Sequence, residues 1–381
     1  MSTAVEDNPL LSVNVRLWKF LSVLFARDWR RCVAFVAPVG LMNAMQFVYL
    51  YQQWGDLATF ILNTFFAVSV FNALLRTCFI IKNRDKFEAL MRELVTLYDI
   101  IQDSGDDYAK SVLAAATKSA RNISIFNLSA SFSDLVVAMA YPLFRQQRVH
   151  PFGVALPGID VTHSPLYEII YIGQLSFPFT LSSMYMPYVS LFATFAMFGK
   201  ATLQILQNDL KNLCDNMKSK TEEELFELLR TNIAYHARIA RYVSDFNELV
   251  TYLVLIEFLL FSCVICSLLF CINIVSKTTS TAEKISIVMY IGTMLYVLFT
   301  YYWQANGVLE MSLLVSDAAY EMQWYKCSRR FKRTLLIFIG RTQKPLQIRV
   351  GQMYPMTMEV FQSLLNTSYS YFTLLHNLYN D

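Results

Sequence analysis

The chain has 381 residues, of which 55% are hydrophobic and 15% aromatic, while charged residues are held to 16%. Soluble globular proteins carry nearer 25% charged residues, so this composition argues against a water-soluble enzyme. The formal net charge of +3 excludes little, because in a membrane protein the placement of the charges matters more than their sum.

Seven segments are long and apolar enough to cross a bilayer as helices, which need about 20 residues at 1.5 Å each. They are residues 32–51, 57–81, 123–144, 169–198, 252–275, 285–303 and 360–379. The fourth is too long for one straight crossing, so it must tilt, kink at Pro178 or Pro187, or project beyond the bilayer. The seventh, with Gln362 and Asn366, is too polar to face lipid all round and is either buried among helices or lines water.

The basic residues of the connecting segments orient the chain. The N-terminal stretch and every second connection after it hold five, seven, seven and eight Lys and Arg, whereas the alternate segments hold none, two, two and none. By the positive-inside rule the N-terminus is cytoplasmic. Seven crossings then leave the C-terminus outside, which is the reverse of a G-protein-coupled receptor.

The long basic connections predict helical structure outside the membrane. Residues 221–240 begin with Thr221 as N-cap and acidic residues in the first turn, as a helix start requires. The predicted organisation is a cytoplasmic N-terminal segment (1–31), six membrane helices with long cytoplasmic connections (32–303), a cytoplasmic helical base (304–357), and a seventh helix with an extracellular tail (358–381). The fold class is therefore all-α.

The last fifty residues carry a specific pattern. It comprises L-L-I-F-I-G-R-T-Q-K-P-L-Q-I-R-V-G at 335–351, followed by M-E-V-F-Q-S-L-L-N-T-S-Y-S-Y-F-T-L-L at 358–375. With Arg341 before Pro345, then Ile348 and Gly351, this pattern resembles the C-terminal signature of insect odorant receptors. The chain length and the size of its second cytoplasmic loop are similar to those of odorant-tuning subunits, since the shared coreceptor of that family is longer.

The resemblance implies a heteromeric, odorant-gated, non-selective cation channel in the plasma membrane of a sensory dendrite. The resemblance implies three partners: the coreceptor, a small volatile odorant and the surrounding lipid. With the coreceptor the chain would form a hetero-oligomer, a tetramer. No nucleic acid and no cofactor are implied. A gustatory-type chemoreceptor is the second interpretation, because that family shares ancestry and topology. A G-protein-coupled receptor is a third, and is separated from the others by the side of the membrane on which the C-terminus lies.

By the same resemblance, the ion path runs along the seventh span. Thr367, Tyr371, Leu374 and Leu378 are spaced i, i+4, i+7 and i+11, so they share one helical face. Leu374 and Leu378 would lie nearest the external end of the helix and close a water-filled path by dewetting. Ser370 lies beside this stripe and would supply a polar surface for water. The alternative is that this face packs against a neighbouring helix, as most apolar stripes do.

A ligand site is expected among the external halves of the second, third, fourth and sixth spans. Aromatic and Met side chains with a few hydroxyls enclose small apolar ligands by area burial. The candidates are Phe65, Ser69, Ala138, Tyr141, Phe177, Phe179, Met184, Met289, Thr293 and Tyr296. Burying about 200 Å² of ligand gives roughly 5 kcal/mol before ordering costs, which predicts affinities no tighter than micromolar. For any one residue the alternative is ordinary helix packing.

Three ionisable residues lie within the predicted spans, where charge is costly. Arg76 and Glu257 each lie five residues from the cytoplasmic end of their span, or about 8 Å deep, so they could pair. Asp134 lies about 16 Å deep. It is either a polar contact in the ligand pocket or a protonated, hydrogen-bonded structural residue.

Catalysis finds little support in the chain. No H-E-x-x-H, G-x-S-x-G or phosphate-binding Gly loop occurs. Seven Cys and four His, mostly isolated, form neither a disulfide framework nor a metal-ligand cluster. The sequence therefore predicts a receptor channel rather than an enzyme.

Overall fold

A computed structural model describes residues 2–55, 57–140, 150–214, 221–275 and 281–380. These residues are almost entirely helical. The helices are α1 Ser2–Asp7, α2 Ser12–Phe20, α3 Trp29–Gln52, α4 Leu57–Lys82, α5 Arg84–Asp103, α6 Asp107–Ala140, α7 Leu166–Gln174, α8 Phe177–Lys211, α9 Glu222–Val275, α10 Thr281–Glu321, α11 Arg329–Thr342 and α12 Met358–Asn380. Two short antiparallel strands, β1 Arg349–Val350 and β2 Tyr354–Pro355, join α11 to α12.

The predicted membrane segments coincide with these helices. Each of the seven falls within a helix, except that residues 141–144 of the third lie outside the described residues and the fourth divides between α7 and α8. Within the described residues, five helices are long and apolar enough to cross a membrane. They are Trp29–Gln52, Asn63–Lys82, Asp107–Ala140, Leu166–Lys211 and Glu222–Phe270. The chain is a membrane protein with an all-α helical bundle.

The fourth predicted span is interrupted rather than merely tilted. The helix ends after Gln174 and restarts at Phe177, with Pro178 in the second position of α8. Proline disfavours a helical conformation in the residue before it and cannot donate to the preceding turn, but it is well tolerated in the first turn of a new helix. Pro187, in contrast, lies inside α8 without ending it.

Helix α8 forms the centre of the bundle, because almost every residue from Leu181 to Leu206 along it is buried. It packs most extensively against α6 and α10. Aromatic rings contribute to the packing of α8. The ring centroid of Phe192 lies 5.1 Å from that of Phe246 of α9 and 4.5 Å from that of Tyr301 of α10. Such ring pairs add to the stabilisation that burial of their area already provides.

Several helices are far longer than a bilayer is thick. Helix α9 has 54 residues, which is about 80 Å at 1.5 Å per residue, against a hydrocarbon core of about 30 Å. Its first half packs with α5 and α11, through the Arg238–Glu93 ion pair and the ring contact of His236 with Phe338, and α11 also packs with α10. We call this assembly the base. The N-terminus of α9 carries the predicted cap: Thr221 Oγ1 accepts from Glu224 N at 3.3 Å, and Glu224 Oε2 accepts from Thr221 N at 2.7 Å.

The β-hairpin between α11 and α12 is fastened to α9. Asn247 Oδ1 accepts from Arg349 N at 2.7 Å, and Thr251 Oγ1 donates to Arg349 O at 2.9 Å. Gly351 N donates to the Thr251 carbonyl at 3.0 Å. Gly351 adopts a φ of +56°, and a Cβ atom there would lie 2.6 Å from Leu255 Cδ2. The glycine of the C-terminal signature is therefore required by both backbone conformation and close approach.

We expect Gly351→Ala to lower the free energy of unfolding by about 2 kcal/mol, because the left-handed conformation and the Leu255 contact both penalise a side chain. Thermal denaturation of the detergent-solubilised protein, followed by size-exclusion chromatography of a fluorescent fusion, measures the change. The matched control is Gly340→Ala in α11, where a Cβ atom meets nothing within 4 Å. Equal stability of the two variants would contradict this account of the hairpin.

Candidate functional site

A cavity of about 450 Å³ lies in the half of the bundle remote from the base. Helices α3, α4, α6, α8 and α10 line it, and the segment 150–153 between α6 and α7 closes one side. Its walls are mainly apolar, with a few polar side chains among them. A cavity of this size and character is typical of sites for small organic ligands.

Six of the predicted ligand residues line this cavity. They come from α4, α6 and α10, and are Phe65, Ser69, Asp134, Ala138, Met289 and Thr293. The two members from each helix are four residues apart, so that one helical face presents both of them. The side chains thus converge from three helices on one volume.

Four further predicted ligand residues lie outside this lining. Phe177 is buried outside the lining, with its ring 6.2 Å from that of Phe152, and Met184 is buried within the helix packing. Phe179 is 47% exposed on the outer surface. Tyr296 lies deeper than the cavity, and its hydroxyl donates to Asn127 Oδ1 at 2.7 Å. Tyr141 is outside the described residues.

Asn127 joins three helices through its side chain. Besides accepting from Tyr296 of α10, its Nδ2 donates to Ser190 Oγ of α8 at 3.0 Å. A buried amide is costly unless its groups are bonded, and here both ends are. Tyr296 is thereby fixed as a structural link between α6 and α10.

Sequence reasoning missed the residues that close the cavity. Phe65 stacks on Tyr290 at 4.4 Å between ring centroids, and Phe66 meets the same ring edge-on at 5.0 Å. Phe152, which is buried, packs its ring 5.6 Å from Phe66. Phe65 is among the predicted residues, and its neighbour Phe66 could have been found from that adjacency, but no local pattern marks a loop residue such as Phe152 as part of the same wall.

The segment 150–155 is anchored on both sides. Gln174 Nε2 donates to the Phe152 carbonyl at 3.2 Å, and Ala155 N donates to the Met45 carbonyl at 3.2 Å. Gly153 approaches α3 and α4 so closely that a Cβ atom would lie 2.5 Å from Asn63 Oδ1 and 2.6 Å from Tyr49 Cε1. Only glycine permits this approach, so the segment is held closely against α3 and α4. We call residues 150–155 the roof of the cavity.

His150 forms part of this roof as a neutral imidazole. It is buried, and its Nε2 lies 3.1 Å from the Val161 carbonyl, which can only accept, so Nε2 carries the proton. Burial lowers the pKa of His150, with the Val161 bond opposing that shift in part. The roof therefore carries no positive charge at neutral pH, which suits an uncharged ligand.

The predicted pairing of Arg76 with Glu257 is confirmed. The Arg76 Nε donates to Glu257 Oε1, both side chains are fully buried, and Arg76 Nη1 also donates to the Tyr185 carbonyl at 3.3 Å. The guanidinium lies 4.1 Å from the centroid of the Tyr185 ring, a favourable cation–π contact. Tyr185 also lines the cavity, so the ion pair lies directly behind the cavity wall.

Asp134 is the remaining ionisable residue of the predicted spans. It lies on α6 in the cavity lining and is exposed. This position is compatible with a polar contact to a ligand. Its role stays a prediction.

Helix α12 has two different faces. Leu364 and Ser368 are buried against the bundle, and the Phe361 ring lies 6.0 Å from Phe299 and 5.7 Å from Tyr302 of α10. The other face carries the predicted stripe: Thr367, Ser370, Tyr371 and Leu374 are all exposed, the last by 55%. The side chain of Leu378 is outside the described residues.

Comparison with known proteins gives consistent results. The family profile described as 7tm Odorant receptor matches residues 56–369. Odorant receptor Or2 of Anopheles gambiae is 38% identical over 99% of this chain and 100% of its own length. Odorant receptor 10 of Aedes albopictus is 38% identical over 98% of both chains, and Odorant receptor 30a of Drosophila melanogaster is 33% identical over 98% and 97%.

Among solved structures, the insect olfactory receptor OR5 from Machilis hrabei in complex with eugenol superimposes with a TM-score of 0.78. The superposition covers 92% of this chain and 91% of that one, at 16% sequence identity. This likeness establishes the seven-helix fold.

Proposed function

The chain belongs to the insect odorant receptor family, and on that premise we propose that it is the odorant-tuning subunit of a heteromeric, odorant-gated, non-selective cation channel. The observation that carries the proposal is the largely apolar cavity of about 450 Å³ formed by α3, α4, α6, α8 and α10. It offers area burial and a few hydrogen-bonding groups, but no charged pair facing the ligand. Membership of a receptor family, rather than an enzyme family, accords with the absence of a catalytic motif from the sequence.

The proposed ligand is a small, uncharged volatile compound. Phe65, Ala138, Met289 and Thr293 would enclose it, with Phe152 above it. The solved receptor from Machilis hrabei is a complex with eugenol, which supports a small organic ligand for this chain too. Apolar enclosure with little directional bonding favours modest affinity and broad selectivity.

The proposed ion path runs along the exposed face of α12, at the centre of an assembly with the coreceptor. An exposed stripe of Tyr371 and Leu374 on a membrane helix needs either lipid, another subunit or water beside it. Ligand binding is coupled to this helix through α10, since one end of α10 lines the cavity and Phe299 and Tyr302, farther along it, contact Phe361 of α12.

We expect Leu374→Ser to increase the leak current or alter cation selectivity of the heteromer, because a polar side chain prevents an apolar constriction from dewetting. Two-electrode voltage clamp in the absence and presence of odorant measures both properties. The control is Tyr369→Ser, which is 62% exposed on a different face of α12. Currents from Leu374→Ser that match the wild type at equal surface expression would remove α12 from the proposed path.

In the proposed orientation the N-terminus and the base are cytoplasmic, and the cavity opens toward the outside of the plasma membrane of an olfactory dendrite. The distribution of Lys and Arg among the connections supports it. An epitope tag placed after residue 381 should be labelled on intact cells. Labelling only after permeabilisation would contradict the orientation and, with it, the channel assignment.

Co-expression decides the function as a whole. The chain with the coreceptor should give odorant-evoked cation currents across a panel of volatile compounds, and the chain alone should give none. Evoked currents that require a G protein would favour a G-protein-coupled receptor instead. The absence of odorant-evoked currents from the chain with the coreceptor, at normal surface expression and across a broad panel of compounds, would count against the proposal.

A further inference from the structure

The central helix α8 contains a gap in its hydrogen bonding. Pro187 lies inside this helix and has no N–H, so the carbonyl of Ser183, four residues earlier, cannot receive its usual helical bond. Ser183 is 2% exposed, so water does not replace the missing donor. A buried carbonyl without a donor is costly, and native structures nearly always supply one.

The donor comes from the N-terminal segment. Trp18 Nε1 of α2 lies 3.0 Å from the Ser183 carbonyl oxygen, and Trp18 is 1% exposed. Two further bonds hold this segment in place: Asn14 Nδ2 donates to Ser124 Oγ at 3.0 Å, and Phe25 N donates to Glu88 Oε1 at 2.9 Å. The indole is therefore a fixed part of the bundle, at a point where a proline weakens α8.

The same turns of α8 form one wall of the cavity. Leu181, Tyr185 and Met186 line it, and Ser183 lies between them with its carbonyl directed to Trp18. Tyr185 is also held by the Arg76 guanidinium through its carbonyl and its ring. Since proline-containing turns are where helices bend, the position of these three lining residues depends on what holds the turn.

We propose that Trp18 is a positioning residue for odorant response: its indole N–H closes the gap that Pro187 opens in α8 and so holds the cavity wall in its binding geometry. This role rests on the proposed function of the cavity as the odorant site. Trp18 lines no part of the cavity itself. Trp18 acts through α8. Without the indole N–H, the turn of α8 between Ser183 and Pro187 has to be ordered when the ligand binds.

Trp18→Phe removes the N–H and keeps an aromatic ring. In oocytes co-expressing the coreceptor, we expect it to raise the half-maximal odorant concentration by about tenfold, the factor that loss of one buried hydrogen bond produces. Adding Pro187→Ala supplies a backbone N–H to Ser183, so Trp18→Phe should then shift the response little. A purely structural effect of the lost tryptophan would persist in the Pro187→Ala background.

Two controls match the two changes. Trp29→Phe alters a tryptophan that is 69% exposed, and Pro38→Ala removes the internal proline of α3, which is exposed. Neither should reproduce the shift or the rescue. An unchanged or lowered half-maximal concentration in Trp18→Phe, or an equal shift with and without Pro187→Ala, would overturn the proposal.

Thermal stability of the detergent-solubilised chain gives a second readout that needs no current. Trp18→Phe should lower the melting temperature in the wild-type background and much less in Pro187→Ala, even where the single variant reaches the surface poorly. Equal losses of melting temperature in the two backgrounds would overturn the proposed role of Trp18. If the wild type gave no odorant-evoked current, the proposed function would fail, while this stability cycle would still decide whether Trp18 satisfies Ser183.

Discussion

Replacing Glu257 with Gln is expected to remove most of the folded chain, because it leaves the Arg76 guanidinium charged and fully buried with no carboxylate beside it. Breaking a buried ion pair by removing one partner costs about 3–5 kcal/mol, out of a total stability of about 5–15 kcal/mol for a typical domain. The contacts of Arg76 with Tyr185 and Tyr188 do not replace the lost carboxylate. Surface biotinylation and heat-treated size-exclusion chromatography of a fluorescent fusion measure the loss.

The matched control is Glu248→Gln, which removes the partner of Lys86 in an ion pair whose side chains are more than 60% exposed. Exposed pairs contribute about 0–1 kcal/mol, so this variant should behave like the wild type. A double variant, Arg76→Met with Glu257→Met, should recover part of the folded protein, since an apolar pair carries no buried charge. Folding of Glu257→Gln at wild-type levels would show that the pair is dispensable.

The Arg76–Glu257 pair is among the features that the sequence predicts well, and the reason is physical. A bilayer restricts each span to one dimension, so counting residues from the end of a span gives a depth, and two opposite charges at equal depth have few other partners. The helical spans themselves follow from the same constraint, because backbone groups in lipid must be bonded internally. The inside–outside assignment rests on the basic connections alone and stays a prediction.

The cavity was predicted only in part. Residues on α4, α6 and α10 were found because a helical face repeats every three to four residues, so an apolar stretch and a depth identify candidates. Tyr296 satisfies the same criteria, yet its hydroxyl is bonded to Asn127. Whether a buried tyrosine contacts a ligand or an amide depends on the helix opposite, and no spacing within α10 records that.

The roof of the cavity lay beyond sequence reasoning for a similar reason. Phe152 and Gly153 occupy a connection without helical periodicity, and their positions follow from contacts with Gln174, Asn63 and Tyr49 in distant segments. The break between α7 and α8 was only half anticipated. Pro178 predicts a distortion, but a proline near a helix start and one within a helix have different effects, and the sequence does not show where α8 starts.

Ala138→Trp is expected to abolish the response to odorants, raising the half-maximal concentration by at least about 100-fold, because the indole occupies the space in which the ligand would bury its apolar area. Ala138 lines the cavity from α6, and Met289 and Thr293 line the same cavity from α10. A graded series of Leu, Phe and Trp at this position should lose sensitivity in order of side-chain size. Dose–response recordings with the coreceptor, normalised to surface expression, measure the series.

Val136→Trp provides the control, because Val136 lies two residues away on the same helix, is 44% exposed and does not line the cavity. It introduces the same side chain on the opposite side of α6, where lipid can accommodate it. Steric exclusion predicts that Ala138→Leu reduces the responses to large odorants more than those to small ones, whereas general destabilisation of α6 would reduce all responses alike. Wild-type sensitivity in Ala138→Trp would place the odorant outside this cavity, and an equal loss in Val136→Trp would assign the effect to destabilisation of α6 rather than to steric exclusion.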